Sequence, residues 1–159
     1  MLNNIELHET LAAISRHHTT LKAQFASFVE SLESSLGQAD FFVKGISVTP
    51  KLDENQVEID FVDRTLRLVF SVVLTEELRR PLGIIRCYAL VEYPEKNLIE
   101  TGSIKFKPNG ESDLEDPSDN DVFYINYDSG AKYIGLHFIL EALEKLTTPT
   151  ENAASNSAA

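Results

Sequence analysis

His137 and Glu141 stand four residues apart, and Cys87 lies between Arg86 and Tyr88. The stretch from Asn109 to Gly130 carries seven carboxylates and no lysine or arginine. These are the residues whose types and spacing could do chemistry. A His–Glu pair at i, i+4 shares one helix face and could hold a metal with a third ligand. No HExxH or similar companion completes the set, so a local hydrogen bond is the simpler role. Cys87 shares its strand face with Ile85, Ala89 and Val91, an apolar setting in which a cysteine is an inert core residue. A nucleophile would need an adjacent base, and no GxSxG, GxGxxG, GKS/GKT or CxxC motif occurs. Glu58 or Asp60 with Arg67 or Arg86 could line a pocket on a sheet face. A cross-strand ion-pair ladder is the plainer arrangement.

The acidic stretch admits four readings. A calcium loop wants a glycine at its sixth position and a closing glutamate at its twelfth. Counted from Asp113 the sixth residue is Ser118 and no glutamate closes the loop; counted from Asp119 only Asp121 falls in place. A mimic of duplex DNA would have to reproduce a charge about every 1.7 Å over an extended length, which one short segment does not. A docking surface for a basic protein fits better, since clustered like charge speeds encounter with an opposite patch. The neighbouring Phe123, Tyr124 and Tyr127 could add contact area. A solvated loop kept open by its charge is the plainest reading. The net charge is −11, and residues 108–128 hold seven acids and no base, while residues 38–107 hold eleven acids and ten bases. The body is therefore nearly balanced, and no basic stripe exists for direct nucleic-acid binding. No metal or cofactor is expected.

Periodicity assigns the elements that must position these residues. Leu7, Leu11, Ile14, His18, Leu21, Phe25, Phe28 and Leu32 recur at alternating spacings of four and three, predicting a helix over 4–36. Gly37 is expected as its left-handed cap, and His17-His18-Thr19-Thr20 is a place where the helix could break. His18 in the seam reads as a polar residue fixing register, or as a pH-sensitive interface. From Asp40 the period changes to two. Phe42, Ile46 and Val48 mark a first strand ended by Pro50. QVEIDFV, TLRLVFSVVLT, IIRCYALVEY and LIETGSIKFK follow, the last with Gly102 as a bulge, and VFYINYD is a short sixth strand burying Phe123, Ile125 and Tyr127. Short turns favour an antiparallel meander. A helix over 130–146, apolar at Ile134, Phe138, Ile139, Leu140, Leu143 and Leu146, should be largely buried. Residues 148–159 read as a disordered polar tail. The fold class is α+β: a long N-terminal helix, five to six antiparallel strands within 41–127, and a C-terminal helix packed on the sheet, in one domain over 1–147.

At 159 residues, 43% hydrophobic and 25% charged, the chain can bury a core without staples. A single cysteine suits a reducing compartment. MLNNIELHET lacks the basic and apolar regions of a signal peptide, and no run reaches about 18 apolar residues, so a cytoplasmic location is expected.

A first helix of about 30 residues would be about 45 Å long, against about 24 Å for five strands side by side. Unbroken, it would overhang and seek a partner. The sheet face away from the helices would show Val69, Val73, Tyr88 and Leu90 among Arg67, Arg86 and Lys105, which suits an interface. A homodimer through the helix or through that face is thus expected. A small acidic α+β dimer resembles bacterial secretion chaperones in architecture alone, with no shared motif and no residues to carry over. The sequence identifies no reaction, and a non-enzymatic protein-binding module is the leading expectation: a chaperone, adaptor or inhibitor. Its partner would be another protein, basic in character, met by Glu111, Asp113, Glu115, Asp116, Asp119 and Asp121, aided by Tyr88 and Leu90. The alternatives are a small-molecule-binding or enzymatic pocket between sheet and helices, and a nucleic-acid-mimicking inhibitor.

Overall fold

In the computed structural model, which describes residues 2–75, 80–118 and 121–158 and side chains of the last helix through Leu146, the first helix starts for a local reason. The Asn3 side-chain oxygen accepts the Glu6 backbone N–H at 2.8 Å, and the Glu6 carboxylate accepts the Asn3 N–H at 3.1 Å. This capping box satisfies donors that a helix start leaves unpaired. Helix α1 (Asn4–Ser35) then runs unbroken through His17-His18-Thr19-Thr20. It does not end on a left-handed glycine as expected: Leu36 caps it in a right-handed conformation, its N–H donating to the Leu32 carbonyl at 2.8 Å. Gly37 serves for room instead, since a Cβ there would lie 2.9 Å from the Glu33 carbonyl oxygen.

Seven strands follow: β1 (Ser47–Lys51), β2 (Gln56–Phe61), β3 (Arg64–Leu74), β4 (Pro81–Val91), β5 (Asn97–Phe106), β6 (Glu111–Glu115) and β7 (Val122–Tyr124). They pair antiparallel in chain order and are followed by helix α2 (Asp128–Ala158). The α+β meander is the predicted one, with seven strands in place of five or six.

The differences have physical reasons. β1 begins after Phe42, which stands in a loop 80% exposed, and it contains Pro50 rather than stopping there. β1 is an edge strand, where the missing proline N–H costs no ladder bond. The β2–β3 turn is Val62-Asp63, both at positive φ (46° and 62°), the backbone a two-residue hairpin needs to match strand twist. At β4–β5, Cys87 pairs with Gly102 and Tyr88 with Glu100, so Thr101 is the extra residue of the bulge. β7 stops at Tyr124: Ile125 is buried, but Tyr127 is 57% exposed because the chain has already turned into α2. Leu140 is 59% exposed, unlike Ile134, Phe138 and Ile139 on the same helix. α2 extends beyond the end at 146 read from the sequence.

Both helices pack on one sheet face. Leu21, Phe25, Phe28 and Leu32 of α1 and Ile134 and Phe138 of α2 close over Ile59, Leu68, Phe70, Ile85 and Phe106 in a single core. The Phe25 ring stacks on Phe70 with centroids 5.4 Å apart. Gly135 lets the helices approach, since a Cβ there would come within 2.6 Å of Leu32 Cδ2. The Ser31 hydroxyl donates to Asp128 Oδ1 at 2.8 Å, tying α1 to the start of α2.

Candidate functional site

The acidic stretch folds into a hairpin at the sheet edge. Gly110 takes φ 93°, which admits glycine at no steric cost. Its N–H donates to the Lys107 carbonyl at 2.8 Å, and the Lys107 N–H donates to the Glu111 carbonyl at 2.9 Å, turning β5 into β6. Between Glu111 and Glu115 the pairing of β6 with β7 is irregular, four residues of β6 facing two of β7. Ser112 is buried and Leu114 packs on the core, while Glu111, Asp113 and Glu115 line one open groove. The β6–β7 hairpin meets β5 at one ladder pair, Phe106 with Ser112.

Several of these carboxylates also hold the backbone. Asp113 Oδ1 accepts the Lys105 N–H at 3.1 Å, on the edge of β5. Asp116 Oδ1 accepts the Ser118 N–H at 2.9 Å, and Asp121 Oδ1 accepts the Val122 N–H at 2.8 Å. The Asp116 N–H closes the loop onto the Asp121 carbonyl at 2.6 Å. Such local bonds are why aspartate suits turns. Glu111 lies 3.5 Å from Lys107 Nζ. Asp119 lies outside the described residues. The carboxylate of Glu111, then loss of solvent and the carboxylate of Asp121, raise the Tyr124 phenol above its ordinary value. The Tyr124 and Tyr127 rings stack with centroids 4.9 Å apart.

The outward acids share a side with the uncovered sheet face. Glu111, Asp113 and Glu115 line an open groove of about 370 Å³ with Leu82, Lys105, Lys107 and Val122. Lys105 is opposite Ile84 in the ladder and Leu82 opposite Val73, which places the groove on the face away from the helices. Farther along lie Val69, Val73, Tyr88 and Leu90, all half-buried. Glu58, Arg67 and Arg86 there are paired. Glu58 Oε1 accepts from Lys51 at 2.9 Å and from Arg67 at 3.2 Å. Arg86 donates to Ser71 at 3.1 Å and lies 3.8 Å from Glu100. This is the ion-pair ladder rather than a lined pocket. Lys51, then Arg67, hold the Glu58 carboxyl below the usual carboxylate range against the opposing effect of burial. Tyr88 stands five residues along β4 from Gly83, which is level with Phe106 and Ser112. At about 3.4 Å per residue and about 4.8 Å per strand, Tyr88 and the hairpin are about 20 Å apart. Leu82 and Lys107 carry no sequence signal that would single them out.

The other candidates are structural. Cys87 is buried, and burial pushes its thiol up to about 11, leaving it protonated at neutral pH. His137 Nε2 lies 3.8 Å from Glu141 Oε2, with the ring stacked along Tyr133, itself stacked on Phe123 at 4.0 Å. Among the described residues, no three His, Cys, Asp or Glu side chains converge to hold a metal ion, and no helix is long and apolar enough to cross a membrane. No protein-family model, curated protein or solved structure matches the chain.

Proposed function

We propose that this chain is a non-enzymatic protein-binding module, a chaperone, adaptor or inhibitor acting in the cytoplasm, that docks a basic partner through the β6–β7 hairpin and the adjoining sheet face. The observation that carries it is the shared orientation of Glu111, Asp113 and Glu115 with the half-buried Tyr88 and Leu90. Charge and apolar area on one side can serve one interface, the first steering encounter and the second slowing release. Scale supports this. A standard interface covers about 800 Å² per partner, a patch roughly 28 Å across, wider than the separation of hairpin and Tyr88. Asp116 and Asp121 at the hairpin tip extend the negative field beyond the groove.

The test is affinity capture from the source cytosol at low and high salt, with the wild type and with E111Q/D113N/E115Q as bait. Amides keep the oxygen acceptors of these side chains and remove only charge. The reading expects one stoichiometric protein on the wild type, lost at high salt and lost on the variant. A partner retained equally by both baits would refute the role of the hairpin.

A second reading rests on a different groove, of about 400 Å³ between α1 and the β1 edge, lined by Ala26, Val29, Glu30, Glu33, Pro50 and Leu52 among others. It would be the site of a small-molecule-binding or enzymatic domain, and a metabolite that raised the melting temperature would favour it. A nucleic-acid mimic is the weaker alternative: three outward carboxylates two residues apart span only about 14 Å of strand.

A further inference from the structure

The β5–β6 turn holds the one Asn–Gly pair in the chain, Asn109-Gly110. Such a pair is chemically labile. The Gly110 backbone nitrogen, once it loses its proton, can attack the Asn109 side-chain amide carbon, and glycine has no Cβ to obstruct the approach. Asparagine is for this reason among the thermolabile residues. Asn109 is exposed, so water and hydroxide reach it.

The closed hairpin opposes that attack at three points. The Gly110 N–H donates to the Lys107 carbonyl at 2.8 Å, which shields the proton that must leave. Asn109 Oδ1 accepts the Glu111 N–H at 3.0 Å, which fixes the side-chain amide. The Gly110 carbonyl accepts the Ile125 N–H at 2.9 Å, and a Cβ on Gly110 would lie 2.3 Å from Asn126 Oδ1. The buried glycine is thus held on both sides. Glu111 and Ile125 belong to or adjoin the β6–β7 hairpin, which meets β5 at the single pair Phe106–Ser112. Opening of the hairpin alone therefore releases the turn, and local opening needs less free energy than global unfolding.

We propose that Asn109-Gly110 is a site of spontaneous deamidation gated by the β6–β7 hairpin: closed, the turn keeps its asparagine; open, it reacts. In the open state the Gly110 nitrogen gives its proton to hydroxide and bonds to Asn109 Cγ. The bond from Cγ to the side-chain nitrogen breaks, and ammonia leaves with a proton taken from water. The product is a succinimide ring, which water then opens at either carbonyl. Opening at Cγ leaves aspartate at 109, a further carboxylate two residues from Glu111. Opening at the main-chain carbonyl leaves isoaspartate, which adds a methylene to the backbone. The span from Lys107 to Gly110 is then one atom longer, so the original turn cannot re-form. No enzyme or redox partner is required, and the inference stands apart from any docking role of the hairpin.

The test incubates the full chain and a synthetic peptide of residues 104–114 in the same mildly alkaline buffer. Conversion at position 109 is read by peptide mass and by isoaspartate-specific methylation. The native chain converts at least about tenfold more slowly than the peptide, as a mostly closed hairpin requires. Leu114→Ala, which removes hairpin packing on the core, speeds the native rate about fivefold. Ile59→Val, in the central sheet, leaves that rate unchanged. A native rate equal to the peptide's overturns the proposal, because the hairpin then protects nothing. So does a slow rate that Leu114→Ala leaves unaltered, or one that Ile59→Val raises as much, which would make the gate the whole fold.

Discussion

The β3–β4 hairpin and the β6–β7 hairpin are built on opposite plans. β3 and β4 each have eleven residues, pair from Leu66–Ala89 to Leu74–Pro81, and put Leu68, Phe70, Ile85 and Cys87 into the core. β6 and β7 have five and three residues, touch β5 through one pair, and add only Leu114 and Phe123 at the core margin. The first is held by burial. The second is held largely by its own aspartates and by Ser112, whose hydroxyl donates to the Phe123 carbonyl. The comparison teaches that acids can shape an edge hairpin and still leave their charge on an open face.

Removing apolar area should separate the two hairpins most clearly. Leu68→Ala is expected to cost about 3 kcal/mol, the range for a fully buried leucine, read from the urea midpoint. Leu114→Ala, at a half-buried position, should cost about 1 kcal/mol. Its main effect should be faster hydrogen exchange confined to β6 and β7. Equal losses from both would mean that the hairpin is part of the central cooperative unit.

Backbone strain sharpens the contrast. Long flanking strands hold Val62 and Asp63 at positive φ, whereas the β5–β6 turn uses glycine for the same purpose. V62N/D63G should raise stability by about 1 kcal/mol, since each residue then suits its conformation. Smaller still is the hairpin loop. Asp116→Ala should cost about 0.5–1 kcal/mol by leaving the Ser118 N–H without its acceptor, while Asp116→Asn should be nearly silent.

The smallest effect expected is a pH dependence on the outer face. The folded-state carboxyl of Glu58 titrates below its unfolded value of about 4.3. Its ionised form therefore stabilises the fold above that value, and the contribution is lost as pH falls through the lower, folded-state value. E58Q should be slightly less stable than wild type at neutral pH and should converge with it on acidification, by less than about 1 kcal/mol for partly exposed pairs.

The central sheet was legible because each strand has two different faces. Val57 and Ile59 alternate with Glu58 and Asp60, and Leu66, Leu68 and Phe70 alternate with Arg67 and Val69. β6 was not legible, because ESDLE offers one apolar side chain and its inward partner is a serine. Asn109-Gly110 was the available signal for a turn there. The acidic stretch was legible as charge but not as orientation: which acids line the open groove is set by how the hairpin meets β5. The turn-forming roles of Asp116 and Asp121 depend on loop geometry that no spacing encodes. Leu140 was misread because a wide apolar arc does not reveal which part of it the sheet can reach.

The central claim is tested most directly by the association rate of the captured partner, measured at low and high salt with wild type and with E111Q/D113N/E115Q. The wild-type rate should fall steeply with salt, and the variant rate should be slower at low salt and nearly flat. Rates and salt dependence identical in the two proteins would contradict it and move the docking surface away from the hairpin.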